Sequence, residues 1–504
     1  GNTLQKLSRL DDALKSFSQA IILQPSYEKA WNNLKYALKA RWFDKGEGDW
    51  SLKALSEQLG PEIAASPEFA ILTSYLSGFR PQTAGDSFKV AMSSLPEQDL
   101  TGGGAGSSIL PDKLIGLTHF GRSGTGLIHS LIDSHPEIST LPGVYLRGFF
   151  NVGVWEKMAG EGWKNLADNF AELYPVLFDA HAPEPVPSRL GEEMPYLGRE
   201  EGLTAVGENR DESLSLDKEI FLKECKLLLK GLDRVDPRNF LMAIHGAFDK
   251  TLGIETPKST VFYHIHNPDE FAAANFGRHA PDAQMLLMVR DPVENCESWI
   301  RPRFEMGDYS KIVHRILSML FEFDRPVYSR QAAVGVRLED LKSRPEETMK
   351  ALCSWMGVEE SPTLFEMTAQ GKKWWGDPSS PNYVEGQQMS PFGDAETKRS
   401  LGDIFSETDR LILSTLFYPF NVRFGYAEAD PAGFEKNLEV VGPLLEELMD
   451  FEKALVERLG VDADHFKQDA DYLLLRAGMT DRWQTLRELK DYPNMIQPLA
   501  VISS

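Results

Sequence analysis

Apolar residues along the chain change period at one short stretch. From Lys113 to Phe120 they form a run of strand length, and after Gly121-Arg122-Ser123-Gly124-Thr125-Gly126 they return at helical spacing as Leu127, Ile128, Leu131 and Ile132. Three further apolar runs predict strands at Thr260–His266, Gln284–Arg290 and Ala332–Leu338. Strands alternating with helical stretches from Pro111 onward predict an α/β fold, with a mostly parallel sheet and flanking helices. Upstream, residues 1–45 read as paired helices, 46–99 as a helical connector and the glycine-rich 100–112 as a flexible linker. The α/β domain is expected over 113–429, with a long insert at 141–256 covering the ligand-binding edge of the sheet, followed by a helical C-terminal extension over 430–504.

The first helices carry a repeat pattern, with Ala13, Phe17 and Pro25 followed by Trp31 and Leu34. This spacing is similar to the tetratricopeptide helix–turn–helix unit, of which about one and a half copies are legible where roughly three are usual. Such a segment is expected to recruit a protein partner or to support self-association. The insert is rich in aromatic residues, among them Phe149, Phe150, Trp155 and Phe170, which would suit a sugar, phenol or lipid head group as acceptor.

Composition narrows the classes. The chain has 504 residues, too many for one ordinary core. A net charge of −22 argues against nucleic acid, an anionic membrane surface or a polyanionic substrate. No run of about eighteen apolar residues predicts a membrane span. Cys225, Cys296 and Cys353 are too scattered for a disulfide framework or a zinc site, so a reducing, cytoplasmic setting is expected. Gly1 is not an initiating Met, so sequence upstream is allowed for.

A strand, a glycine-rich turn and a helix make an anion site, because first-turn N–H groups and the helix dipole face the turn. Arg122 adds a fixed cation, Ser123 and Thr125 add hydroxyls, and Gly121, Gly124 and Gly126 let backbone approach the anion. No Lys precedes a Ser or Thr at the helix start, so this is not a nucleoside-triphosphate loop. Arg290 ends the third predicted strand, Asp291-Pro292 opens a helix, and Ser298 lies about two turns along it, on roughly the same face as its first residues. An arginine and a serine so placed can hold a phosphate together, although a strand-end arginine is as often a structural ion pair.

Both motifs resemble those of sulfotransferases that use 3′-phosphoadenosine-5′-phosphosulfate (PAPS). The match takes in Arg122-Ser123-Gly124-Thr125, Leu131–Pro136, the Arg290-to-Ser298 interval and the stretch Val336–Leu341. The resemblance implies a P-loop-like sulfotransferase fold. It implies PAPS as sulfuryl donor and the bisphosphate PAP as product. Gly121–Gly126 would bind the 5′-phosphosulfate, and Arg290 and Ser298 the 3′-phosphate, with Lys398 and Arg399 closing over it. No metal is implied.

The acceptor must lose a proton, and histidine suits a base at neutral pH. His264 and His266 stand two apart at the end of the second predicted strand and face one side of it. His264-Ile265-His266-Asn267-Pro268 is similar to the Lys-Thr-His-x-Pro segment of cytosolic-type sulfotransferases, which puts His266 at the catalytic base and His264 at the lysine. Three departures stand beside this. Leu141-Pro142-Gly143 replaces the glutamate of other branches, Arg122 replaces the loop lysine, and Gly126 replaces a threonine, leaving His129 and His135 as fallback bases. A rival from another class is a non-catalytic repeat scaffold with a degenerate sulfotransferase-like domain; a third is a nucleoside or sugar kinase, which would need ATP and Mg²⁺.

Overall fold

The computed structural model describes the chain except residues 77–98, 105, 107–108, 120, 143–145, 187–192, 267–269, 330–331, 379, 381–382, 394–401, 490–493 and 502–504. Among the described residues, several N-terminal helices, of which α1 (Leu10–Leu23) and α2 (Glu28–Lys45) are the longest, precede an α/β body. That body contains β1 (Lys113–His119), α3 (Thr125–Ile132), β2 (Ile138–Thr140), β3 (Thr260–His264) and β4 (Gln284–Val289). It continues through α4 (Pro292–Met306), α5 (Tyr309–Glu322), β5 (Ala333–Arg337) and α6 (Leu338–Ser343), and near the C-terminus come α7 (Ala470–Glu488) and β6 (Gln497–Pro498).

The six strands form one sheet in the order β6-β5-β4-β1-β3-β2, and every pairing in it is parallel. β1 is buried from Leu114 onward and β4 from Met285 onward, as in a parallel sheet covered by helices on both faces. The α/β reading holds. β1 has β3 on one side and β4 on the other, so the connections after it leave in opposite directions. Above such a switch point the strand tips part and leave a crevice.

The described strands end one or two residues before the predicted limits. The backbone there already belongs to the next element: Asp291 caps α4, accepting the Glu294 N–H at 2.9 Å, and Leu338 opens α6. β2 and β6 were not predicted, because three and two residues are too few to show a period.

α1 buries Ala13, Leu14 and Phe17 against Trp31 and Leu34 of α2, and the Trp31 indole N–H donates to the Pro25 carbonyl at 2.8 Å. α7 packs beside both α2 and α5. Lys39 of α2 pairs with Asp481 of α7, and the fully buried Arg482 holds Asp324 through two bonds of 2.7 and 3.0 Å. A buried guanidinium needs such a partner, so α7 is fixed in register against the body. Part of the glycine-rich stretch is also tied down: Leu100–Thr101 pairs with Arg234–Val235, and the Gly102 N–H donates to the Asp233 carbonyl at 2.8 Å.

The insert's aromatic residues are core. Phe149 stacks on Phe240 with ring centres 5.9 Å apart, Phe170 stacks on Phe221, and Phe150 and Trp155 are equally buried. They support the sheet edge and do not line the cavity described below, which corrects the expectation that they receive the acceptor. Glu184 is buried in this insert and accepts the Val176 N–H at 3.1 Å. Burial pushes its carboxyl up to about 8, against the opposing pull of that N–H and of Arg147.

A group raised in this way favours the fold while the carboxyl stays protonated and loses that contribution as pH climbs toward 8. Glu184→Gln, which mimics the protonated form, is expected to match the wild type near pH 5. It should then gain stability relative to it from about pH 5 to pH 8, on the order of 1 kcal/mol per pH unit, and level off above that. Urea midpoints of the two proteins across that range check this; a constant difference would contradict it.

Candidate functional site

The turn after β1 takes its shape from two glycines. Gly121 and Gly124 have φ of +64° and +88°, in the left-handed region, and a Cβ on Gly124 would stand 2.6 Å from Leu338 Cδ1. The Ser123 N–H donates to the Gly121 carbonyl at 3.0 Å, which tightens the turn and buries Ser123. No side chain caps α3 at Gly124, so the first-turn N–H groups and the dipole of α3 are directed at the space in front of it. Gly126 differs from the other two, since its φ is ordinary and a Cβ there would meet nothing closer than Trp374 at 3.7 Å.

That space is a cavity of about 360 Å³ above the tips of β1, β3 and β4. Gly121, Arg122, Ser123, Gly124, Thr125, Gly126, Arg290, Ser298 and His266 all line it. Residues more than 140 positions apart in sequence thus face one another across a single crevice. Arg290 is 4% exposed at the tip of β4, and its guanidinium lies 3.4 Å from Glu294 Oε2. Burial presses its charge down, while the carboxylates of Glu294, Glu339 and Asp291 hold it up.

Lys342 joins this wall from α6, four residues after Leu338 and on the same face of the helix. Burial and then the Arg290 charge lower its ammonium below the usual range. Arg315 on α5 is pushed down to about 10 by burial, then by Arg303 and Arg122. These cations are crowded, and an anion in the crevice would relieve their mutual repulsion.

His119 and His266 line the cavity beneath these cations, while His264 lies 3% exposed behind them. Ring centres of His264 and His266 are 5.5 Å apart, and those of His119 and His266 are 5.6 Å apart. Burial, followed by the charges around them, holds His264 and His266 well below the ordinary imidazole range. Of the fallback bases, His129 is buried beside Phe262 and His264, and His135 is a structural link, accepting the Glu137 N–H on Nδ1 and contacting the Glu359 carbonyl through Nε2 at 2.9 Å. Lys398 and Arg399 lie outside the described residues.

Sequence reasoning missed His119, Lys342, Glu201 and Trp374, all of which line the cavity. His119 could have been found as the last residue of β1, where a side chain reaches the crevice. Lys342 directly follows the Val336–Leu341 stretch, whose resemblance points to no lysine. Glu201 is brought in from the insert because the Trp374 indole N–H donates to its carbonyl oxygen at 3.0 Å, a pairing 173 residues apart that no local pattern reveals.

Residues 117–362, a little under half of the chain, match the family model of the sulfotransferase family. The match supports a sulfotransferase-family domain in that segment, which contains the turn, β3, β4 and α4. A solved sulfotransferase domain from the curacin biosynthetic pathway is 14% identical, with 70% of this chain and 99% of that one covered and a TM-score of 0.27, a similarity too low to bear on the site. No curated protein matches the chain.

The glycine geometry separates two neighbouring substitutions. Gly124→Ala is expected to lower stability by about 1–2 kcal/mol from the left-handed backbone alone, with more from the contact on Leu338. Gly126→Ala should stay within about 0.5 kcal/mol of the wild type. Thermal and urea unfolding of both variants provide the check, and equal losses would contradict the turn described here.

Proposed function

We propose that the protein transfers a sulfuryl group from PAPS to an acceptor hydroxyl. The observation that carries this is the shared cavity, lined at once by the glycine-rich turn with Arg122, by Arg290 and Ser298, and by the His266 imidazole. The family match over residues 117–362 supports sulfuryl transfer as the class of reaction. In this reading the first-turn amides of α3 and Arg122 bind the 5′-phosphosulfate, while Arg290, Ser298 and Lys342 bind the 3′-phosphate.

The acceptor oxygen attacks sulfur in line with the bridging oxygen. An O–S bond forms, the S–O bond to the 5′-phosphate breaks, and PAP leaves with the electron pair. His266 takes the acceptor proton, and Arg122 neutralises charge growing on the bridging oxygen. The leaving phosphate is stable as an anion and needs no acid. Trp299 and Trp374 flank the cavity and give the acceptor an aromatic wall. The helices at residues 10–45 are read as tetratricopeptide-like; a partner or second copy recruited there would use the face that α7 leaves uncovered.

Calorimetric titration with PAP tests the binding half. Arg290→Ala is expected to weaken affinity by about 10- to 100-fold, the weight of a charge-assisted contact, and Lys342→Ala by less. His266→Ala should leave PAP affinity within a few-fold of wild type while lowering kcat by about 10²- to 10⁴-fold. Unchanged affinity in Arg290→Ala would overturn the assignment. A protein that binds PAP yet releases none from PAPS with any acceptor would favour the scaffold reading.

A further inference from the structure

The two imidazoles that line the cavity and the third behind them do more than supply one base. β1 and β3 pair in parallel with Leu117 opposite His264, and the Ile265 N–H donates to the Leu117 carbonyl at 2.8 Å. Continuing that register by two residues sets His119 beside His266, and alternation along a strand puts His119, His264 and His266 on one side of the sheet. One ring nitrogen from each lies within 4.8 Å of the other two. Among the described residues, this is the one group of histidine, cysteine and acidic side chains with metal-ligand proximity.

We propose that His119, His264 and His266 form a binding site for a divalent ion of the zinc class. Zinc is held by imidazole nitrogens at about 2.0–2.1 Å, which in a tetrahedron places them about 3.3 Å apart. Rotations of the side chains close the remaining gap. Three neutral nitrogens without a carboxylate select zinc, cobalt, nickel or copper over magnesium or calcium, which prefer oxygen. The sheet and His264 close the site from behind, while His119 and His266 face the cavity, so the fourth position opens toward ligand. Arg147 places positive charge near His264 and His266, which favours an anion in that position.

Occupancy has a consequence that rests on the proposed sulfuryl transfer. A His266 lone pair given to a metal cannot accept the acceptor's proton, so the loaded protein is expected to lose transfer activity and to regain it with a chelator.

The test uses the full chain, stripped with chelator and then titrated with Co²⁺ and, separately, Zn²⁺. The expected results are visible d–d bands of a four- or five-coordinate cobalt site saturating at one equivalent, and one zinc retained after dialysis. His119→Gln and His266→Gln should each lower metal affinity at least about tenfold, with melting curves confirming that both variants fold. His266 is half-buried at the cavity floor, so its variant keeps the test meaningful if His119→Gln misfolds. No stoichiometric uptake, or uptake unaltered in a folded His266→Gln protein, would overturn the site. PAP titration of the same samples keeps the two claims apart. Nucleotide binding without metal binding sinks only the metal site, and metal binding without nucleotide binding sinks only the transferase reading.

Discussion

The structure depends on one topological constraint: a central parallel strand whose neighbours lie on opposite sides. Because β3 and β4 flank β1, three strand tips meet at one crevice, and whatever side chains end those strands are forced together. β1 delivers His119 and the glycine turn, β3 delivers His264 and His266, and β4 delivers Arg290. None of these residues needs a neighbour in sequence to reach the site.

Crowding cations has a cost, and the surrounding packing carries it. Arg290 lowers the ammonium of Lys342, and Arg303 and Arg122 lower the guanidinium of Arg315, in each case after burial. Buried carboxylates elsewhere fix the helices that bear these groups. Glu297, fully buried on α4, accepts the N–H groups of Gly402 and Ile404 at 2.9 and 3.1 Å and pairs with Arg410, which anchors α4. Asp324 and Arg482 do the same for α5 through α7. An anion arriving in the crevice therefore meets positive charge already in position, and little reorganisation is required of it.

Much of this was readable from residue order, for physical reasons. A parallel strand buried on both faces leaves a continuous apolar run, so β1, β3, β4 and β5 were visible, while β2 and β6 were too short to leave one. The glycine turn announced itself because Gly121 and Gly124 occupy backbone conformations that other residues resist. Asp291-Pro292 marked the start of α4 through capping chemistry. What stayed hidden was whatever depends on contacts between distant segments: Glu201 carried in by Trp374, Lys342 turned toward Arg290, and His119 completing a trio with the H-x-H pair of β3. The insert's aromatic residues misled for the same reason, since composition cannot tell a ligand wall from a core. α7 showed only as a helical stretch, although it joins the N-terminal helices to the body.

The central claim is that one crevice grips both ends of an adenine nucleotide, and a crystal structure of the protein with bound PAP tests it most directly. The account predicts the 5′-phosphate at the Ser123–Gly126 amides beside Arg122, the 3′-phosphate between Arg290 and Ser298, and His266 facing the space next to the 5′ end. A nucleotide bound elsewhere, or one whose 3′-phosphate makes no contact with Arg290, would contradict it.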